Sequence, residues 1–485
     1  MVFNSFIFLF FFVVVFFFYY FPLKGKTKAQ NWLLLLSSYF FYGFADWKMI
    51  PLLLVVTIIT FFLGTAIHKT TNPRKSSFLT ILGVLLGIGL LVYFKYFNFF
   101  IDSFSTVLNS IGLKTNPQTF NIIMPLGISF FTFKFISYVI EIHREKIEPS
   151  RDFVAFSTYI AFFPTILSGP IDRPNNFIPQ LQKKRSFNYD KVVDGCKLVL
   201  WGMFQKIVIA DNLAGVIDKV WDDIPDQSAS VLFVTAILYS IQIYTDFSGY
   251  SNMAIGIGKI LGFDIAKNFN YPFFARNISE FWRKWHMSLT SWLTDYVFMP
   301  LNIKFRNLGP LGMILAIIIN MVVVGMWHGA SWTFVVFGLY HGLLFIPLIL
   351  SGAFLKNRKL KPNKYGLPIF KDFSKMTGTF LLVTIGFVIF RADSIGQTWE
   401  YFSGIFNLSR GFLNYKGSEI GSAVIPLIFS VIMFILEWYY REIHYPLANL
   451  GINWYRPLRY AMYYAIIIAV FWYGGKEQQF IYFQF

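Results

Sequence analysis

Charge is scarce in this 485-residue chain: Asp, Glu, Lys and Arg together make up 14% of it, where a soluble domain carries about 25%. Hydrophobic residues make up 56% and mean hydropathy is +0.54. That balance excludes a soluble globular protein. Cysteine is nearly absent. Cys196 stands alone, which rules out a disulfide within the chain and a cysteine metal site. Several catalytic signatures are missing: there is no Gly-x-Ser-x-Gly elbow, no HExxH pair, and no Rossmann or P-loop phosphate cradle. No polar segment is long enough to fold alone. No internal repeat of the inverted-transporter kind is visible.

What is present in abundance is apolar sequence. Runs such as Phe3–Phe21, Leu33–Phe44, Ile50–Ile67 and Phe78–Tyr93 recur down the chain, each near the ~20 residues that cross a bilayer as a helix. The first run lacks a basic leader and a small-residue cleavage site, so it reads as a membrane helix rather than a signal peptide. The expectation is an all-α polytopic membrane protein, one transmembrane domain over residues 1–485. It would have about 11–12 transmembrane helices and additional re-entrant ones. The net charge of +17 then reflects cations gathered on cytoplasmic loops, not a nucleic-acid surface.

Those cations orient the chain. Lys24, Lys26 and Lys28, then Lys69, Arg74 and Lys75, then Arg144, Lys146 and Arg151 follow alternate spans, the last of them Ile122–Ile140. Placing all three clusters in the cytoplasm puts the N-terminus outside, with the loop Ile101–Asn121. Phe153–Leu167 is short, interrupted by Pro164 and flanked by cations on both sides, and reads as a re-entrant hairpin buried in protein. Val192–Ala210 leads to an outer acidic loop, Asp218–Asp226, and Val231–Phe247 returns. Ser248–Pro300 reads as cytoplasmic-side, partly re-entrant helices. Met313–Met326 climbs outward and Phe334–Leu350 comes back to Lys356, Arg358, Lys359, Lys361 and Lys364. Spans near Phe380–Phe390, Val424–Trp438 and Tyr460–Trp472 leave the tail Phe480–Phe485 outside.

One stretch interrupts this pattern. Between Leu311 and Leu350 a lipid-grade run holds a polar knot, Trp327 to Trp332, with His328 inside it. An ionisable ring at membrane depth marks function by default. Gly325 and Gly329 clear space beside the ring for a small substrate or another backbone. Imidazole suits taking a proton from a hydroxyl, and acyl transfer to an alcohol fits that residue type. Of the other five histidines, His68, His143 and His444 sit at loop edges beside charges. His341 follows thirteen residues after His328. A continuous helix would hold those two roughly 20 Å apart on different faces. His286 is the better companion. It lies beside an apolar stripe, Trp282, Trp285, Leu289, Trp292 and Tyr296, spaced as one helix face.

The stretches Met124–Phe133, Tyr244–Ala254, Trp285-His286 and Gly325–Trp332, with Phe390-Arg391-Ala392 and the tail Phe480–Phe485, together resemble the membrane-bound O-acyltransferases. The resemblance is to the alginate O-acetylase and peptidoglycan O-acetyltransferase branch, nearly end to end. It implies a wall of helices around a funnel that narrows near His328, with His328 as the catalytic base. It implies His286 as a second signature position that orders or protonates a thioester. Trp285, Trp327 and Gly329 would shape the passage. Polarity alone, not the resemblance, suggests that Asp246 and Gln242 on a neighbouring span orient a ring nitrogen, with capping or a loop hydrogen bond the equal alternative for Asp246. Acetyl-CoA would be the acyl donor from the cytoplasm, with no metal. The acetyl group would pass to a periplasmic or extracellular SGNH-type partner that modifies a polysaccharide at a bacterial cytoplasmic membrane. Two rivals remain: a D-alanyl transferase acting on teichoic acid, and a transporter in which the two histidines relay protons. The acceptor polymer is open among alginate, cellulose, another exopolysaccharide and peptidoglycan.

Overall fold

The computed structural model describes residues 1–115, 120, 122–354, 362–407, 419–474, 478, 480 and 481. The cation cluster Lys356, Arg358, Lys359 and Lys361 and the last tail residues, Tyr482–Phe485, lie outside them. Every regular element among the described residues is helical. Thr27–Lys69, Pro73–Ser110, Ala229–Ile260, Arg306–His328, Trp332–Leu350 and Phe370–Arg391 are long and apolar enough to cross a bilayer, and Phe6–Tyr20 and Val424–Tyr439 are shorter apolar helices. The chain is an all-α, multi-pass membrane protein. Its surface agrees: Phe6, Phe10, Phe62 and Phe78 are each more than 60% exposed, as lipid-facing side chains are. The chain divides into two compact units, residues 1–196 with 254–266, and residues 197–253 with 267–485.

In the first unit, α1 (Phe6–Tyr20), α2 (Thr27–Asp46), α3 (Ile50–Lys69), α4 (Pro73–Leu91), α5 (Phe97–Ser110) and α6 (Ile128–His143) precede two nine-residue helices, α7 (Phe153–Ala161) and α8 (Pro174–Gln182). Helix α6 is the core, buried along almost its whole length. Small residues let its neighbours close on it. A Cβ on Gly64 of α3 would lie 2.6 Å from the Tyr138 ring, and one on Gly87 of α4 2.7 Å from Ile136. Lys134 of α6 is buried, and its ammonium donates to Tyr159 O at 3.1 Å and Thr165 Oγ1 at 2.9 Å. It thus sits at the C-terminal, carbonyl-rich end of α7, where a cation is favoured. At about 14 Å α7 is too short to span, and every residue from Ala155 to Asp172 is buried. The stretch expected as a hairpin buried in protein is a short helix followed by buried turns.

The second unit begins inside α9 (Tyr189–Met203), which continues through a π-helical stretch, Phe204–Ala210, into α10 (Asp211–Asp222). Next comes α11 (Ala229–Ile260), 32 residues long. Where the sequence suggested an end at Phe247, the helix continues, because Tyr250, Met253, Ala254 and Ile257 extend its buried face. Then follow α12 (Ile278–Trp282), α13 (Met287–Leu293), α14 (Met299–Lys304), α15 (Gly309–His328), α16 (Trp332–Leu344), α17 (Ile346–Leu350), α18 (Phe370–Arg391), α19 (Ile395–Phe406), α20 (Glu419–Ser422), α21 (Val424–Tyr439) and α22 (Arg456–Tyr473).

Two local features position the site. First, α15 and α16 form an antiparallel hairpin in backbone contact: a Cβ on Gly325 would lie 2.0 Å from Phe334 O, and one on Gly338 2.3 Å from Met321 O. Second, the stripe read as a single helix face over 282–296 is broken. Met287 N donates to Asn268 O at 2.8 Å and Asn270 N to Lys284 O at 2.9 Å. The backbone of 268–270 thereby replaces the i→i−4 ladder, and His286 takes a left-handed conformation with φ 44°.

Candidate active site

His328 is the last residue of α15. The helix stops there because Gly329 turns fully extended, and Ser331 caps the returning helix by accepting from Thr333 N at 3.3 Å. His286 sits at the corner between α12 and α13. Both imidazoles are buried, at 0% and 4% exposure for His286 and His328. Their ring centroids are 6.5 Å apart. The Trp327 indole packs on both, 5.4 Å from His286 and 5.0 Å from His328. Phe390 at 5.1 Å and Phe337 at 6.1 Å close the far side of His328, and Phe247 meets His286 edge to face at 4.6 Å.

A side chain that carries no distinguishing signal in the sequence fixes His286. Asn268 Oδ1 lies 3.0 Å from His286 Nδ1 and accepts from Ser288 Oγ at 2.9 Å, while Asn268 Nδ2 donates to Ser251 Oγ at 3.0 Å. With its amide so oriented, Asn268 accepts from Nδ1–H, which leaves Nε2 of His286 as the ring's acceptor. Burial pushes the His286 pKa down to about 3, so the ring is neutral at physiological pH.

The remaining sequence-nominated residues fall in different places. Trp285 stacks on Phe281 at 5.3 Å and packs on Phe269 and Phe387, both at 5.1 Å, inside an aromatic cluster. The space cleared at Gly329 is filled by Phe334, whose ring would be 2.1 Å from an added Cβ. At Gly325 the neighbour is the backbone of α16, as the second of the two sequence alternatives has it. Asp246 holds Lys206 at 2.7 Å and accepts from Ile481 N at 2.9 Å. Its carboxylate thus anchors other chain segments, and the orienting of a ring nitrogen falls to Asn268. Gln242 is buried one turn before Asp246 on α11. His341 is nearer than a continuous helix would allow, because the chain reverses at Gly329. Phe337 packs on both rings, at 6.1 Å from His328 and 4.7 Å from His341. His341 Nδ1 accepts from Trp282 Nε1 at 3.4 Å, a packing role.

Fold and site define a multi-pass membrane protein with two buried histidines gathered under one tryptophan. The chain belongs to the membrane-bound O-acyltransferase family, which matches residues 36–384, and is an acyltransferase. It is 34% identical over 455 residues to a probable alginate O-acetylase AlgI of Pseudomonas aeruginosa, covering 90% of this chain and 82% of that one. It is 30% identical over 457 residues to a peptidoglycan O-acetyltransferase of Helicobacter pylori, covering 86% and 82%. With a teichoic acid D-alanyltransferase of Streptococcus thermophilus it shares 31% identity over 320 residues, covering 59% and 74%.

Proposed function

We propose that this acyltransferase takes an acetyl group from acetyl-CoA on the cytoplasmic side of a bacterial cytoplasmic membrane. It passes the group outward for O-acetylation of an extracytoplasmic polysaccharide, by way of an SGNH-type partner. The observation that carries the reading is the His328–His286 pair, 6.5 Å apart and buried among aromatic rings. His328 takes the proton of the acceptor hydroxyl as that oxygen bonds to the thioester carbonyl carbon. The tetrahedral intermediate collapses with cleavage of the C–S bond, and the imidazolium returns the proton to the departing thiolate. His286, neutral and held through Nδ1 by Asn268, orders the donor side by accepting at Nε2 from an N–H or O–H of the substrate, and is not the proton donor.

Acetyl transfer is favoured over D-alanine transfer because the alginate and peptidoglycan O-acetylating relatives share most of this chain, and the D-alanyl relative shares 59% of it. The test is thioester consumption by protein reconstituted in lipid nanodiscs, with acetyl-CoA or a D-alanyl-charged carrier protein as donor. Acetyl-CoA should be consumed, and His328→Ala should slow the reaction on the order of 10²–10⁴-fold. Consumption of the charged carrier alone would replace the acetyl reading. In cells, His328→Ala should remove polymer acetylation and leave export intact; the opposite pattern would favour the transporter.

A further inference from the structure

Asp246 sits on an apolar spanning helix at 2% exposure, where a carboxylate is costly unless its partners are strong. Its partners come from both directions along the chain. Lys206 Nζ lies 2.7 Å from Asp246 Oδ1 and 2.7 Å from Asp211 Oδ1. A close approach of two backbones makes this possible: a Cβ on Gly249 of α11 would lie 2.7 Å from Gly202 O and 2.9 Å from Lys206 N. The other oxygen of Asp246 accepts the backbone N–H of Ile481 at 2.9 Å, and Lys206 Nζ donates to Gln478 O at 3.4 Å. The C-terminal tail is thus tied twice to one buried ion cluster.

Between those two ties stands Phe480, 3% exposed. It stacks on Tyr250 at 4.5 Å with planes 22° apart, and packs on Phe247 at 5.8 Å. Phe247, itself 0% exposed, is the ring that meets His286 edge to face at 4.6 Å. A continuous line of contacts therefore runs from the ion cluster through the tail to the histidine.

We propose that Phe480 and Ile481 are a positioning part of the active site: Asp246 clamps Ile481 so that Phe480 backs Phe247, and Phe247 sets the ring plane of His286. This rests on the acyl-transfer reading of His286. Positioning errors near 1 Å cost on the order of 10²-fold in rate, and a shortened Phe480 leaves Phe247 free to relax by that amount. Phe480→Ala should lower kcat about tenfold or more with KM for the thioester changed less than threefold, and Phe480→Leu, which refills the space, should recover most of the loss.

The deciding measurement is coupling. In a His286→Asn background, Phe480→Ala should cost little further, since the ring it positions is gone. An equal drop in both backgrounds, or full activity for Phe480→Ala, would overturn the proposal. Rates are taken per mole of monodisperse protein, and Phe480→Val, which leaves part of the space empty, carries the coupling test if Phe480→Ala fails to fold. A readout independent of activity is the NMR signal of isotope-labelled histidine, in which Phe480→Ala should move His286 and leave His143 in place. If the unmodified protein transfers no acetyl group yet this shift appears, the acyl-transfer reading fails and the clamp stands. Without the shift, the clamp fails.

Discussion

At the scale of single residues, the site divides into groups that announce themselves and groups that do not. An ionisable ring in a lipid-grade run is rare, so His328 stands out, and His286 stands out beside a cluster of tryptophans. Asn268 has no such contrast: it lies in a polar loop where asparagine is ordinary, and its role appears only when its amide is seen against His286 and Ser288. Asn268→Ala should remove the acceptor that fixes the tautomer and lower kcat on the order of tenfold to 100-fold, as loss of an orienting partner does at other sites. The His286 pKa, pushed by burial to about 3 from 6.5, adds a sign. Between those values the unfolded chain binds the proton and the folded one does not, so this group's contribution weakens the fold as pH falls from about 6.5 toward 3. Any acid limb that a kcat–pH profile shows above pH 5 accordingly belongs to another group, and Asn268→Ala should lower the height of the profile without moving that limb's midpoint. A midpoint shift in a kcat–pH titration would reassign that limb to His286. Asp246 shows the opposite failure of sequence reasoning. Its polarity was visible, but its partners stand 40 residues before it at Lys206 and 235 after it at Ile481, separations that no local pattern encodes.

At the scale of elements, long apolar periods were legible and their interruptions were not. Helices α15, α16 and α21 lie where the hydrophobic runs put them, because burial or lipid contact rewards every turn, while α18 starts at Phe370, ahead of the run read from Phe380. The break at 283–286 was invisible because the 3,4 spacing of Trp282, Trp285, Leu289 and Trp292 continues across it. What stops the helix is a pair of backbone hydrogen bonds from the distant segment 268–270, and those override a weak local preference. The glycines of the α15–α16 hairpin show how closely tertiary contact sets this region. A methyl group at Gly325 meets Phe334 O at 2.0 Å, and a backbone carbonyl cannot step aside as a flexible side chain does. Gly325→Ala should destabilise by about 1–3 kcal/mol through overpacking and displace His328, one turn further on. Gly215 of α10 is the control: nothing lies within 4 Å of its added Cβ, so Gly215→Ala should be neutral or stabilise by up to about 1 kcal/mol. Paired thermal melts in one detergent check both; equal shifts would mean that the hairpin contact is looser than described.

At the scale of the whole molecule, sidedness decides what the site can do. Composition alone made the chain a multi-pass membrane protein, and the helices agree, but a helix does not say which end faces the cytoplasm. Sidedness is read from charge. Lys69, Arg74 and Lys75 flank the turn between α3 and α4, whereas Asp218, Asp222, Asp223 and Asp226 gather at the end of α10 and just beyond it. If cations stay in the cytoplasm, the first group is inside and the second outside, which is the sidedness that the proposed outward transfer needs. The single cysteine makes this directly testable. In a Cys196→Ser background, Lys75→Cys and Asp223→Cys each introduce one thiol at an exposed position. A membrane-impermeant maleimide added to intact cells, with the outer membrane made permeable where there is one, should label the second and spare the first until the cells are lysed. Labelling of the first alone would invert the chain. The donor would then have to approach from the outer side, where acetyl-CoA is not made, and the proposed direction of transfer would fall even with the histidine chemistry intact.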